Sequence, residues 1–126
     1  MKVALIQQTY CGDRDKNIAK LTENIRKCAA EGADLIVLSE LHNSLYFCQT
    51  ENVDNFDLAE PIDGYSARYF GRLARELSVV ILISIFERRT NGLYHNTAIV
   101  LEKDGSVAGI YRKMHIPDDP TFYEKF

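Results

Sequence analysis

Two ionisable side chains stand directly after segments that should form buried β-strands. Glu40 ends residues 33–40 (ADLIVLSE), and Lys113 follows the β-prone residues 107–111 and Arg112. A short apolar run bounded by turn-type residues is typical of a strand covered on both faces, and open α/β sheets handle ligands at the ends of such strands. A buried carboxylate needs a partner cation. These two residues are therefore candidates for a catalytic carboxylate and a catalytic ammonium.

Each candidate also has a simpler interpretation. A glutamate at the exit of a strand is often only a solvated residue at the start of a loop, and we assign Glu87, which follows residues 79–86, to that class. Arg112 and Lys113 could likewise form a solvated pair after a hairpin. Glu40 differs because it opens a long segment rich in aromatic residues. On residue type and position alone, the catalytic and the solvated interpretations both stay open.

The composition is typical of an ordinary soluble globular domain. The chain has 126 residues, of which 46% are hydrophobic and 26% charged, so it can build one core. A formal net charge of −3, with scattered Lys and Arg, argues against a nucleic-acid partner. No run approaches the roughly 20 apolar residues of a membrane-spanning helix. The sequence begins without the features of a signal peptide, so we expect a cytoplasmic protein.

The three cysteines, Cys11, Cys28 and Cys48, form no CxxC pair. In a chain without an export signal we expect free thiols, and neither a disulfide framework nor a metal site is supported. Cys28 falls on the apolar face of the first predicted helix, while Cys11 and Cys48 fall in predicted loops. None of the three is therefore an obvious nucleophile.

The hydrophobic pattern predicts one α/β unit with the order β-α-β-loop-α-β-β-β. The predicted strands are residues 3–7, 35–38, 79–86, 95–101 and 107–111, and the predicted helices cover about 13–30 and 66–77. The first strand, helix and strand should form a right-handed parallel unit. Residues 41–64 should be a functional loop with some local structure, and the residues after Met114 should be irregular.

Residues with capping and turn preferences mark the ends of these elements. Asp13 or Asp15 can cap the first helix, and Gly32 fits the position just past its end. Ser66 can cap the second helix. The Asp-Gly pair within residues 103–106 is a strong signal for a hairpin between the last two strands.

Four segments together resemble the N-terminal part of a carbon–nitrogen hydrolase of the nitrilase superfamily. They are residues 1–8 (MKVALIQQ), 33–40 (ADLIVLSE), 94–98 (YHNTA) and 109–115 (GIYRKMH). Each segment alone is weak, but the ordered set is specific, and the resemblance covers all 126 residues. It implies the leading part of an α-β-β-α sandwich, with residues 1–126 forming an incomplete carbon–nitrogen hydrolase domain.

The resemblance also implies roles for individual residues. The superfamily uses a Cys-Glu-Lys triad, in which Glu40 matches the glutamate and Lys113 the lysine, while Glu124 matches a second glutamate near the site. The family's cysteine lies downstream, beyond Phe126, so this stretch alone is expected to be inactive. A carboxylate can accept the thiol proton, and an ammonium can stabilise the oxyanion. This chemistry needs no metal or organic cofactor.

Within the superfamily, residues 45–49 and 113–126 are most similar to the N-carbamoylputrescine amidase branch. The resemblance implies hydrolysis of a carbamoyl amide, with putrescine, CO2 and ammonia as products, in polyamine biosynthesis. The implied substrate ends in an ammonium group, for which we expect Asp118, Asp119 and Tyr46 to supply acidic groups and a ring face or hydroxyl. The alternative, that the two aspartates only stabilise a proline-rich turn, stays open.

Two other functions remain open alongside this one. The chain could belong to a binding or regulatory module that keeps the fold without catalysis, or to an amidohydrolase acting on a β-ureido acid or another carbamoyl amide. For the enzyme we expect three partners, namely a small carbamoyl amide, the remainder of its own chain and further copies in a homo-oligomer. We expect no nucleic-acid and no membrane partner.

Overall fold

A computed structural model describes residues 1–125 as a five-stranded sheet, two α-helices and a small two-stranded sheet. In chain order the elements are β1 (Val3–Leu5), α1 (Arg14–Ala30), β2 (Leu35–Val37), a 3₁₀-helix (Val53–Leu58), α2 (Tyr65–Leu77), β3 (Val80–Thr90), β4 (Leu93–Leu101), β5 (Val107–Arg112), β6 (Asp118–Asp119) and β7 (Phe122–Tyr123). Phe126, the last residue of the segment 113–126 compared above, lies outside the described residues. The predicted order of the main elements is confirmed.

The large sheet runs β1-β2-β3-β4-β5 and is mixed. Strands β1, β2 and β3 are parallel, as the crossover helices between them require, whereas β3, β4 and β5 are antiparallel. β3 continues past its predicted end at Phe86 to Thr90, and residues 91–92 turn the chain directly into β4. This extension brings more of the chain into the sheet than the sequence pattern indicates.

The core lies between the two helices and one face of the large sheet. Its members are apolar residues at helical spacing on α1 and α2 and at alternate positions on the strands, including Ile18, Leu21, Ile25, Phe70, Leu73, Ile36, Ile81, Ile83, Ile85, Ile99 and Leu101. Burying each such side chain contributes ~1.5–3 kcal/mol. On the opposite face of the sheet, Val3 and Leu5 are 47% and 77% exposed. The described residues therefore form a helix layer and a sheet layer.

The two helices begin in different ways. Asp13 is the N-cap of α1, and its carboxylate accepts a hydrogen bond from the Lys16 N–H at 2.9 Å, as predicted. The predicted cap Ser66 is wrong, because the N-cap of α2 is Gly64 and Ser66 lies inside the first turn. The carboxylate of Glu60 instead accepts the Ser66 N–H at 2.8 Å. A longer side chain from outside the helix thus performs the capping function.

The long segment between β2 and α2 contains local structure, as predicted. Its 3₁₀-helix (Val53–Leu58) is capped by Asn52, whose side chain accepts from the Asp54 N–H at 3.0 Å. The stretch after Met114, predicted to be irregular, contains the β6–β7 pair. This pair is tied to the long segment by a hydrogen bond from the Tyr123 N–H to the Cys48 carbonyl at 2.8 Å. No helix within residues 1–125 is long and apolar enough to cross a membrane.

Candidate active site

The turn that follows β2 presents Glu40 at the end of the sheet. The next residue, Leu41, is buried with a left-handed φ of 47°, a strained conformation for leucine. Its N–H donates to Ser84 Oγ at 3.0 Å, and Asn17 Nδ2 donates to the His42 carbonyl at 2.6 Å. Bonds from β3 and α1 therefore hold the strained turn and fix the direction of Glu40.

His42 supports this turn as a neutral side chain. Its imidazole packs edge-on against Phe70, with ring centroids 5.1 Å apart, and its Nδ1 accepts the Ser84 N–H at 3.4 Å. Burial lowers the pKa of His42 to about 4, so the ring carries no charge near pH 7. We therefore assign His42 to the support of the Glu40 turn.

The β4–β5 hairpin places Lys113 opposite Asn96. In this hairpin Thr97 pairs with Arg112, and the following residue continues the ladder, because the Lys113 N–H donates to the Asn96 carbonyl at 2.8 Å. Side chains alternate between the two faces of a strand. Arg112 and Lys113 thus leave the same strand in opposite directions, and Lys113 turns towards the end of β2.

Lys113 lies between two carboxylates. Its Nζ is 3.1 Å from Glu40 Oε1 and 3.0 and 3.1 Å from Oε1 and Oε2 of Glu124. The structure therefore brings together the three residues that the sequence nominated as catalytic. Their catalytic roles stay predictions, which the geometry supports.

The three groups differ in their access to solvent. The side chain of Glu124 is 6% exposed, that of Lys113 is 31% exposed and that of Glu40 is 52% exposed. Although desolvation acts to lower the pKa of Lys113, the hydrogen bonds and charges of Glu124 and Glu40 outweigh it and raise that pKa. Lys113 is therefore a fixed ammonium, and the cluster carries one excess negative charge when both carboxylates are ionised.

Two further side chains hold the carboxylates in place. Asn96 Nδ2 donates to Glu40 Oε1 at 2.6 Å and to Glu124 Oε2 at 3.4 Å. The Tyr46 hydroxyl donates to Glu124 Oε1 at 2.8 Å, and burial together with this carboxylate raises the pKa of Tyr46. Tyr46 was predicted to face substrate, and here its hydroxyl contacts Glu124. Asn96 was missed, although its place across the hairpin from Lys113 follows from the register.

A cavity of about 510 Å³ opens beside the cluster. Lys113 and Glu124 line it, together with the side chains of the 47–56 segment and of β3 and β4. Cys48, predicted to be a loop thiol, is buried in this lining, and burial raises its pKa to about 11. Its thiol is therefore protonated near neutral pH, which is the wrong state for a nucleophile.

The structure does not bring Asp118 and Asp119 into the lining of this cavity. Both are exposed on β6, where they pair with Tyr123 and Phe122 of β7. The Oδ2 of Asp118 is 3.8 Å from the Nζ of Lys125, which does line the cavity. The predicted role of the two aspartates in binding a substrate ammonium stays a prediction.

Glu87 was predicted to be solvated, and this is wrong. It is 1% exposed, because β3 continues beyond Phe86 and carries Glu87 into the sheet. Arg112 donates to it from Nε at 2.8 Å and from Nη2 at 2.7 Å, and Thr97 Oγ1 donates at 2.6 Å. Burial acts to raise the pKa of Glu87, but these bonds outweigh it and lower that pKa.

Comparisons with known proteins identify the family and the fold of this chain. The sequence model of the carbon–nitrogen hydrolases matches residues 2–126. A citrullinase of Francisella tularensis is 39% identical over 100% of this chain and 44% of its own length. An N-carbamoylputrescine amidase of Oryza sativa is 38% identical over 100% of this chain and 42% of its own length. A solved carbon–nitrogen hydrolase from Helicobacter pylori is 47% identical, with a TM-score of 0.93, over 98% of this chain and 42% of that one. The chain spans less than half the length of these relatives.

Proposed function

Because the chain belongs to the carbon–nitrogen hydrolase family, we propose that the protein containing it hydrolyses the C–N bond of a terminal ureido group. N-carbamoylputrescine is the first candidate substrate. The observation that carries this proposal is the position of Lys113 Nζ, 3.0–3.1 Å from carboxylate oxygens of Glu40 and Glu124, in the lining of a cavity. Citrulline and N-carbamoylputrescine, the compounds in the relatives' names, both carry a ureido group on an alkyl chain.

The proposed chemistry uses a thiol supplied by the remainder of the protein. Glu40 accepts the thiol proton, and the thiolate attacks the ureido carbon. Lys113 stabilises the negative charge that develops on the ureido oxygen. The proton on Glu40 then goes to the departing ammonia, and water hydrolyses the carbamoyl thioester that remains. The resulting carbamic acid releases CO2 and the free amine.

Hydrogen bonding distinguishes the two glutamates as acid–base groups. Both oxygens of Glu124 accept bonds from Lys113, and Tyr46 and Asn96 donate to it as well. Within residues 1–125, the hydrogen bonds and ion pair of Glu40 all fall on Oε1. Its Oε2 is therefore the oxygen that receives the thiol proton, whereas Glu124 orients Lys113 and the substrate amide.

The uncovered face of the large sheet gives the remainder of the protein a place to pack. Val3 and Leu5 on β1 are exposed there. An apolar sheet face normally packs against a second layer. We assign this place to a second sheet from the same chain, which would complete the α-β-β-α sandwich and bring the nucleophilic cysteine to Glu40 and Lys113.

A specific observation favours L-citrulline as a second candidate. Citrulline differs from N-carbamoylputrescine by an α-carboxylate, and Lys125 in the cavity lining can meet a carboxylate. The Francisella tularensis relative named citrullinase is 39% identical to this chain. The two candidates share the reaction centre and differ only in what the far end of the cavity must accept.

The test is steady-state ammonia release by the full-length protein with N-carbamoylputrescine, L-citrulline and a simple primary amide such as glutaramic acid. The proposal predicts turnover of at least one ureido compound at a higher kcat/KM than the primary amide. Release of ammonia from the primary amide alone would contradict it. Calorimetric binding of a ureido compound without any turnover would favour the non-catalytic module instead.

A further inference from the structure

Four aromatic rings form one wall of the cavity. Phe47 and Phe56 come from the long segment after β2, and Phe86 and Tyr94 come from β3 and β4. Their ring centroids are 4.6 Å apart for Phe56 and Tyr94, 5.1 Å for Phe47 and Phe86, 5.4 Å for Phe86 and Tyr94, and 6.0 Å for Phe56 and Phe86. All four residues are half-buried. We refer to them as the aromatic wall.

We propose that the aromatic wall binds the tail of the substrate and selects an alkyl chain that is neutral or ends in an ammonium over one that ends in a carboxylate. This inference rests on the proposed hydrolysis of a ureido group. In this inference the rings select the ammonium tail of the substrate, a role that was predicted above for Asp118 and Asp119.

Continuity of the cavity places the tail against the rings. Lys113 and Glu124 line the same 510 Å³ space as the four rings. A ureido group whose oxygen meets Lys113 can therefore extend its alkyl chain along the aromatic wall. The volume lies within the range of about 300–1,000 Å³ that small-molecule sites occupy. The wall can thus remove the chain's methylene groups from water while the reacting group contacts the cluster.

The charges around the cavity favour a cationic tail over an anionic one. The face of an aromatic ring attracts an ammonium and repels a carboxylate, and the cluster of Lys113 with two carboxylates adds one excess negative charge. Lys125 is the opposing cation in the lining, but its side chain is 59% exposed and its Nζ is 3.8 Å from Oδ2 of Asp118. Solvent and this aspartate weaken its attraction for a carboxylate.

The competing explanation is that the rings only anchor the long segment to the sheet. Aromatic pairs at these distances do stabilise packing. An anchoring role predicts that removing a ring lowers stability and reduces turnover of all substrates by the same factor. A binding role predicts that the loss grows with the length of the substrate's tail, because only long tails reach the wall.

The experiment measures kcat/KM of the full-length protein for methylurea, ethylurea, propylurea, butylurea, N-carbamoylputrescine and 5-ureidopentanoate, the last two of which have the same number of methylenes. We expect kcat/KM to rise about fourfold for each methylene that the wall buries. We also expect N-carbamoylputrescine to exceed 5-ureidopentanoate by about tenfold, through cation–π attraction at the rings. Phe56→Ala should flatten the chain-length series by lowering kcat/KM for butylurea more than for methylurea, and Phe56→Tyr should restore the rise with chain length.

Matched variants separate this inference from its competitors. Tyr65→Ala removes an exposed ring that is outside the cavity lining, and it should leave the series unchanged. Asp118→Asn should leave the preference for the ammonium tail intact, and loss of that preference would transfer the selection to Asp118 and overturn the inference. A flat series for an active wild type, or an equal loss on all ureas in Phe56→Ala, would also overturn it. No turnover of any urea would instead overturn the proposed function, and this inference with it.

Discussion

Arg112 and Lys113 are neighbours in the sequence, and each binds a glutamate from another strand or turn. Arg112 meets Glu87 through two bonds of 2.7 and 2.8 Å in a site where Glu87 is 1% exposed. Lys113 meets Glu40 and Glu124 at 3.0–3.1 Å beside a cavity, and Glu40 is 52% exposed. One arrangement is closed and balanced in charge, whereas the other is open and carries an excess carboxylate.

The comparison shows why an ion pair is not in itself a functional site. Both carboxylate oxygens of Glu87 already accept hydrogen bonds from Arg112 or Thr97, so neither is left to bind a substrate. Removing one partner would leave a buried charge uncompensated. Glu40 keeps one oxygen, Oε2, outside the bonds seen in residues 1–125, and its side chain is 52% exposed. We therefore expect the pair of Arg112 and Glu87, which we call the closed pair, to control stability. We expect the cluster of Lys113 with Glu40 and Glu124, which we call the open cluster, to control turnover.

The largest expected effect is on catalysis, in the open cluster. Glu40→Gln keeps the size and polarity of the side chain but removes the base, so kcat should fall by roughly 10²–10⁴-fold. The measurement is ammonia release by the folded full-length protein. Glu102→Gln, an exposed glutamate that also follows a strand, is the matched control and should retain wild-type turnover. Comparable activity in the two variants would refute the role of Glu40.

The next expected effect is on stability, in the closed pair. Glu87→Gln leaves the Arg112 charge without its carboxylate, so the free energy of unfolding should fall by about 3 kcal/mol, the lower end for a broken buried pair. The side chain of Arg112 is 31% exposed, which is why the lower end applies. Denaturant unfolding of the full-length protein measures this change. A variant as stable as wild type would show that the pair of Arg112 and Glu87 contributes nothing to stability.

The free energy of unfolding should depend on pH through His42, which supports the turn that presents Glu40. Its pKa falls from 6.5 in the unfolded chain to about 4 in the fold, so the unfolded state binds more protons between these values. The part of the unfolding free energy that depends on a neutral His42 is complete above pH 6.5. It is lost as the pH falls towards 4, by about 3 kcal/mol in total. Unfolding free energies of wild type and His42→Asn should converge over this interval. Parallel pH profiles of the two proteins would contradict a buried neutral imidazole.

The smallest expected effect lies outside both clusters, at the turn between β6 and β7. Thr121 has a φ of 71°, which is unfavourable for a β-branched residue. Thr121→Gly should therefore stabilise the protein by about 1 kcal/mol, as a rise in melting temperature. Thr50→Gly is the control, because residue 50 is not among those with positive φ. There glycine should bring no gain, and equal shifts in the two variants would argue against strain at Thr121.

Local signals in the sequence were sufficient for several features. Asp13 caps α1 as predicted, Gly32 follows the helix with a φ of 85°, and the Asp-Gly pair within residues 103–106 joins β4 to β5. The pairing of Glu40 with Lys113 was predicted from their positions after apolar and β-prone segments, whereas Glu124 was added only through the family resemblance. Each of these predictions depends on a residue type at a position that the neighbouring sequence defines.

The features that were missed depend on contacts between distant residues. The burial of Glu87 requires β3 to continue to Thr90 and pair with β4, although the Asn-Gly turn at residues 91–92 was a usable hairpin signal. The cap of α2 requires Glu60 to return to the helix from four residues before Gly64. The aromatic wall requires the long segment to fold against β3 and β4. Hydrophobic periodicity contains none of this information.

The most direct test of the account compares Lys113→Met with Arg112→Met in the full-length protein, with turnover and unfolding measured on the same samples. Lys113→Met should reduce kcat by roughly 10²–10³-fold, the scale of a lost oxyanion-hole donor, and leave the unfolding free energy close to wild type. Arg112→Met should lower the unfolding free energy by about 3 kcal/mol and leave kcat of the folded enzyme close to wild type. The opposite pattern, with Arg112→Met inactive and Lys113→Met active but unstable, would contradict the assignment of catalysis to the open cluster.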